Sequence, residues 1–182
     1  MIYVCNLQDL PTHIQALNPS HLVSLVTEEE QPATPTGMLV ERHLRVVIHD
    51  ISEPLFGHIL ADEQHVAGLI AFVRAWRHEE APMLIHCMAG ISRSMAAALI
   101  ALVTKAGGRE MEAAEQLRRA APHAYPNRRM IALADQLLQC DGRLIAAREA
   151  MGPPRLPLTR LSLSGPLVQL PLLPEAAAPV PT

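Results

Sequence analysis

Residues 82–108, PMLIHCMAGISRSMAAALIALVTKAGG, constrain the fold more than any other stretch. A short Leu/Ile-rich run ends in His86-Cys87. A tight loop follows, and then a segment that is apolar on nearly every side. A run this short suits a buried strand, and a helical stretch with no polar face suits only a central helix. Gly107 and Gly108 supply the stop. A buried strand, a loop and a buried helix are therefore expected at the centre of the molecule.

The rest of the chain repeats that alternation. IYVC (2–5), HLVSLV (21–26) and HLRVVIH (43–49) have the length and the Val/Ile/Leu content of buried strands. ADEQHVAGLIAFVRAW (61–76) sets Val66, Leu69, Ile70 and Val73 at helical spacing behind an acidic first turn. Residues 108–122 and 127–151 read as two or three more amphipathic helices. The expected fold class is α/β: a three-layer sandwich with a mostly parallel central sheet flanked by helices, and a phosphate-binding loop between a strand and a helix. Residues 1–150 are expected to form one catalytic domain. Residues 151–182 hold eight prolines from position 153 onward and frequent leucine. They are expected to run extended over the domain through Leu156, Leu158, Leu161 and Leu163, with a loose end.

Composition removes several function classes. A formal charge of -3 gives no electrostatic footing for nucleic acid or an anionic membrane. The longest apolar run, nine residues from Met95, is far below the ~20 needed to span a bilayer. The N-terminus reads as a strand and not as a leader peptide. Cys5, Cys87 and Cys140 are odd in number and widely spaced, so neither a disulfide framework nor a metal knuckle can be built from them. No metal or cofactor is expected, and a reducing cytoplasm is the expected setting.

The loop itself carries the chemistry. Amide groups opening a helix lack intrahelical acceptors and bind anions, and such a site favours a thiolate at Cys87. Arg93 brings a planar guanidinium that can hold two phosphate oxygens at once. Ser94 can donate to the sulfur as it leaves, His86 can orient the loop, and Gly90 can turn it without a Cβ near bound oxygens. Together these are the parts for nucleophilic attack on phosphorus through a phosphocysteine. His before Cys, Gly three places on and Arg six places on would coincide by accident about 6 times in 10,000, so the pattern is informative.

HCMAGISRS resembles the H-C-x-x-G-x-x-R-[ST] signature of the cysteine-based protein tyrosine phosphatases, and the short chain is most similar to their dual-specificity branch. YPN at 125–127 is similar to a proline-asparagine pair that follows the signature helix there. The resemblance implies Cys87 as nucleophile and Arg93 as phosphate clamp. It also implies a cradle of Met88, Ala89, Gly90, Ile91, Ser92 and Arg93. The substrate it implies is a phosphorylated protein or a small phosphomonoester. An aspartate on a separate loop serves as general acid in that family. Asp50, after the third strand, is preferred to Asp62, whose place at a helix start suits capping. Glu53, His49 and His58 share the Asp50 loop and read as solvated polarity. Asn127 is expected either to bond the active loop or to cap the next helix. Cys140 reads as inert packing, and so does Cys5, which as a second reading is an oxidation partner for Cys87. Arg118-Arg119 and Arg128-Arg129 read as solvated helix faces. Two other readings stay open: a catalytically silent phospho-binding module and a rhodanese-type sulfurtransferase.

Overall fold

Four of the apolar runs become parallel strands: β1 (Ile2–Asn6), β2 (His21–Val26), β3 (His43–Val47) and β4 (Met83–Cys87). The computed structural model describes residues 1–77, 81–155 and 164–174. Leu156, Leu158, Leu161, Leu163 and the last eight residues lie outside the described residues. A fifth strand, β5 (Val168–Leu170), joins antiparallel to β1, giving the order β3-β2-β4-β1-β5. The helices are α1 (Leu10–Leu17), α2 (Glu63–Ala75), α3 (Arg93–Ala106), α4 (Glu110–Ala120), α5 (Arg128–Leu137) and α6 (Arg143–Ala150).

Strand alternation divides the core between two faces. Ile2, Val4, Val23, Leu25, Met83, Ile85 and Cys87 pack in the main core with residues of α2 to α6. Cys5, Leu22 and Leu84 point the other way and meet Leu10, Ile14 and Leu17 of α1. The sandwich is thus lopsided, with one helix on one face and five on the other. α3 confirms the expectation for a helix with no polar face: every residue from Arg93 to Val103 is buried. β4 lies at the middle of the sheet between β2 and β1, and Cys87 is its last residue. Ligands of open parallel sheets collect at the carboxyl ends of the strands, and the thiol stands at that end.

Two elements depart from the sequence reading. α1 is eight residues long, with Pro11 in its first turn and only Leu10 fully buried, so its periodicity is too short to register. β5 sits between Pro166 and Pro171, where proline argued for an extended segment without pairing. A strand at the sheet edge tolerates flanking prolines because its outer side needs no ladder bonds. Gln116 Nε2 and Arg109 Nη1 of the α4 region then hold the carbonyls of Pro171 and Pro174 at 2.6 and 2.7 Å.

Leu170 is fully buried, whereas Gln169 beside it is exposed. Leu170→Ala is expected to cost ~2–5 kcal/mol in urea unfolding, and Gln169→Ala no more than ~0.5 kcal/mol.

Candidate active site

The loop from Cys87 to Arg93 is held by its carbonyls, which are turned outward. The Met88 carbonyl accepts from Leu7 N at 3.1 Å, Ala89 from Gly165 N at 2.7 Å and Ile91 from Tyr125 N at 2.9 Å. The Ser92 carbonyl accepts from Asn127 N at 3.3 Å and from Ala96 N at 2.9 Å within α3. With carbonyls committed outward, the intervening amides are left to face the interior of the loop. Gly90 has φ +71°, and a Cβ there would lie 3.1 Å from the backbone of Cys5 and Asn6. Glycine is needed because the loop rests against the end of β1, a different reason from the clearance for bound oxygens expected from sequence.

Within this ring Cys87 Sγ is buried, 3.1 Å from Ser94 Oγ and 3.2 Å from the Gly90 amide, which donates to it. Arg93 opens α3 and is 6% exposed. Its Nη1 donates to the Ile48 carbonyl at 2.9 Å, which fixes the guanidinium across the site. Its Nε is buried without a partner among the described residues. A buried unpaired donor is costly, of the order of 1–3 kcal/mol, and an oxyanion would satisfy it.

Asp50 lies on the loop that leaves β3, and its Oδ1 accepts from Ser92 Oγ at 2.7 Å and from Asn127 Nδ2 at 2.9 Å. The carboxylate is therefore tied directly to the thiol loop. Asn127 caps α5, its Oδ1 accepting from the amides of Arg129 and Met130; its contact with the thiol loop is made by its backbone amide, on the Ser92 carbonyl, while its Nδ2 reaches Asp50 and the Ile51 carbonyl. Asp62 stands elsewhere, as the N-cap of α2. Its Oδ1 takes the His65 amide at 3.0 Å, and that bond above all holds its carboxyl below the usual range. Glu53 pairs with Arg128 across 3.3 Å at the surface. His49 Nδ1 accepts from Ile59 N, and His58 Nδ1 lies 3.1 Å from the Phe56 carbonyl.

His86 is on the opposite face of the sheet from Cys87. Its Nε2 meets Ser24 Oγ at 2.6 Å, Ser24 Oγ meets His43 Nε2 at 2.8 Å, and His43 Nδ1 meets Thr34 Oγ1 at 3.0 Å. Burial above all, reinforced by the charges of His43 and Arg93, pushes His86 down to about 4, and its Nδ1 is buried without a hydrogen-bond partner among the described residues. Burial and then the Arg45 charge push His43 down to about 4 as well. Both rings are neutral at pH 7. His86 reaches the site through the main chain of β4.

Cys5 is displaced from the role of oxidation partner. It is paired in register with His86 and packs with Leu10, Leu22 and Leu84 on the α1 face, away from Cys87. Burial pushes its thiol, like that of Cys140, up to about 12. Arg118 is also more than a solvated charge, since it donates to the carbonyls of Met151, Pro122 and Gly152.

A family model described as protein-tyrosine phosphatase matches residues 58–122, a span that contains the whole loop. The chain matches that model over 65 of its 182 residues. Its fold is that of the dual-specificity phosphatases. The crystal structure of DUSP15 superposes with a TM-score of 0.61 at 20% identity, covering 82% of this chain and 89% of that one. Human DUSP28 gives 0.60 at 17% identity, covering 76% and 88%. A mouse putative dual specificity phosphatase complexed with zinc tungstate gives 0.56 at 20% identity, covering 80% and 86%. At these identities the likeness is one of fold. No curated protein sequence matches the chain.

Parts of this site lie outside the signature. The Ile48 carbonyl, Tyr125 and the pair His123–Gly165 left no pattern in the sequence, because each acts through a backbone group or by packing. Gly165 donates to Ala89, and its carbonyl accepts from Asn6 Nδ2 at 3.2 Å. A Cβ on Gly165 would collide with the buried His123 ring and stand 3.0 Å from the Gly90 carbonyl.

Gly165→Ala is expected to lower the thermal midpoint by several degrees and to weaken vanadate binding. Adding His123→Ala is expected to recover part of both losses, since the ring is the main obstacle; calorimetry and titration check this. A second outcome concerns pH. His86 binds a proton less readily folded than unfolded, so its stabilising contribution is complete above pH ~6.5 and is lost as pH falls toward 4. This ring alone should take up to about 3 kcal/mol from the stability in urea unfolding between pH 7 and pH 4, and His86→Gln should remove that share of the dependence while the share of His43 stays.

Proposed function

We propose that this chain hydrolyses phosphomonoesters through a phosphocysteine intermediate, as a protein tyrosine or dual-specificity phosphatase. The observation that carries the reading is the Cys87 sulfur, buried between Ser94 Oγ and the Gly90 amide inside a loop whose carbonyls are drawn away from it. Neutral carbonyl oxygens facing inward would repel a phosphate. Amides and a guanidinium facing inward attract one.

In the first step the Cys87 thiolate attacks phosphorus. The S–P bond forms as the bond to the leaving oxygen breaks, and Asp50 gives that oxygen a proton. Arg93 and the amides of residues 88–93 hold the three non-bridging oxygens. In the second step Asp50 takes a proton from water, the water oxygen attacks phosphorus, and the S–P bond breaks with Ser94 donating to the sulfur. Ser92 and Asn127 keep Asp50 at the loop; Asp62 is spent on capping α2. No metal or cofactor enters the scheme.

The substrate in this reading is a phosphorylated protein or a small phosphomonoester, carrying phosphotyrosine or another single phosphate. The loop interior, Met88 to Ser92, carries no lysine of the kind that suits highly charged inositol lipids. A cytoplasmic setting accompanies this reading; no helix among the described residues is long and apolar enough to cross a membrane. The silent-module and sulfurtransferase readings are not favoured: the thiol, arginine and serine are all present, and the serine sits against the sulfur.

With para-nitrophenyl phosphate, Cys87→Ser is expected to reduce turnover to background while vanadate still binds. Asp50→Asn is expected to lower kcat ~10²–10³-fold with KM little changed. Full activity of Asp50→Asn toward an aryl ester with a poor leaving group would remove Asp50 as the acid. Sulfur transfer from thiosulfate in place of ester hydrolysis would overturn the whole reading.

A further inference from the structure

A groove leads out of the site past the residues the mechanism uses. It has a volume of about 370 Å³ and is lined by Asp50 and Ser92 of the site, by Tyr125 and Asn127, and by Arg128 and Arg148. If round, a 370 Å³ space is about 9 Å across, the length of two or three residues of extended chain at ~3.4 Å each.

The far wall of the groove is a prepared cation. Arg148, on α6, lays its guanidinium 4.6 Å from the centre of the Tyr125 ring. Its Nε donates to the Pro126 carbonyl at 3.1 Å. These two contacts orient the plane, yet leave the terminal nitrogens without a carboxylate among the described residues. Tyr125 is itself fastened to the thiol loop through Ile91. Arg128, the other cation, has among the described residues only Glu53 as a side-chain partner, in an exposed pair that is of little worth and easily exchanged. A stacked arginine with free terminal N–H groups is suited to bidentate capture of an oxyanion.

We infer that this groove is a second subsite, in which Arg148 reads an anionic group, carboxylate or phosphate, lying about two or three residues from the phosphorylated residue of a peptide substrate. The inference deepens the phosphatase reading and rests on it for the first anchor, the phosphoryl group at Cys87. The anion belongs to the same peptide, and its nature, glutamate or a second phosphate, is separated by the choice of probe.

The test is fluorescence anisotropy on the full chain carrying Cys87→Ser, with labelled phosphotyrosine peptides. Glutamate, glutamine or phosphoserine occupies the positions two and three residues to either side. The glutamate or phosphoserine peptide is expected to bind on the order of tenfold more tightly than the glutamine peptide, the scale of one charge-assisted contact. In Arg148→Ala that ratio should fall toward one, and in Arg148→Lys part of it should survive. A structural role for Arg148 would weaken all peptides alike and leave the ratio in place. An unchanged ratio in Arg148→Ala, equal affinities in the parent chain, or no binding of any phosphopeptide each overturns the inference. If the peptides bind with the expected ratio but the chain with Cys87 intact does not hydrolyse them, the hydrolase reading fails and the subsite stands.

Discussion

The site depends on where four carbonyl groups point. Amides cannot gather around an anion unless the carbonyls between them are drawn the other way, and here each is drawn by a donor from another part of the molecule. Leu7 follows β1, Tyr125 and Asn127 precede α5, and Gly165 precedes β5. None of these donors is charged, and none needs a particular side chain to supply its N–H. The electrostatics of the loop are thus a product of tertiary packing, with Arg93 added as the one full charge. The same packing explains the glycine: the loop lies so close to the end of β1 that the backbone of Cys5 and Asn6 leaves no room for a Cβ at Gly90.

What could be read in advance follows from that arrangement. The strand–loop–helix unit was legible because its chemistry and its burial are both written in side chains: Cys87, Arg93 and Ser94 on one hand, an unbroken apolar helix on the other. Asp50 was legible by its place after a strand, and the structure adds what fixes it, two donors from Ser92 and Asn127. The braces were illegible because they act through main-chain N–H groups, which leave no signature in residue type; even at Gly165 the demand for glycine comes from the packing of His123 and not from a recognisable motif. β5 was hidden for a related reason. Three residues between prolines carry too little pattern, and only the presence of β1 as a neighbour makes them a strand. The oxidation pairing of Cys5 with Cys87 failed on parity. Cys5 is in register with His86, so strand alternation sends its thiol to the other face.

Asn127 joins several levels of this organisation. One side chain satisfies the start of α5 with its oxygen and holds the Asp50 loop with its nitrogen, while its backbone amide braces Ser92. The Asp50 loop, the Cys87 loop and a helix are thereby registered against one another through a single residue. Beneath the sheet, the His86–Ser24–His43–Thr34 chain performs a comparable service for three adjacent strands. Its burial favours the uncharged form of both imidazoles.

The bond from Asn6 to Gly165 spans 159 positions in sequence. Contacts this remote are among the last that a folding chain can close, because the entropy of the intervening loop must be met first. The sheet and its central helix can therefore assemble while the anion cradle is still missing one wall. By this loop-closure argument the Cys87 loop gains its last wall after the scaffold that displays it.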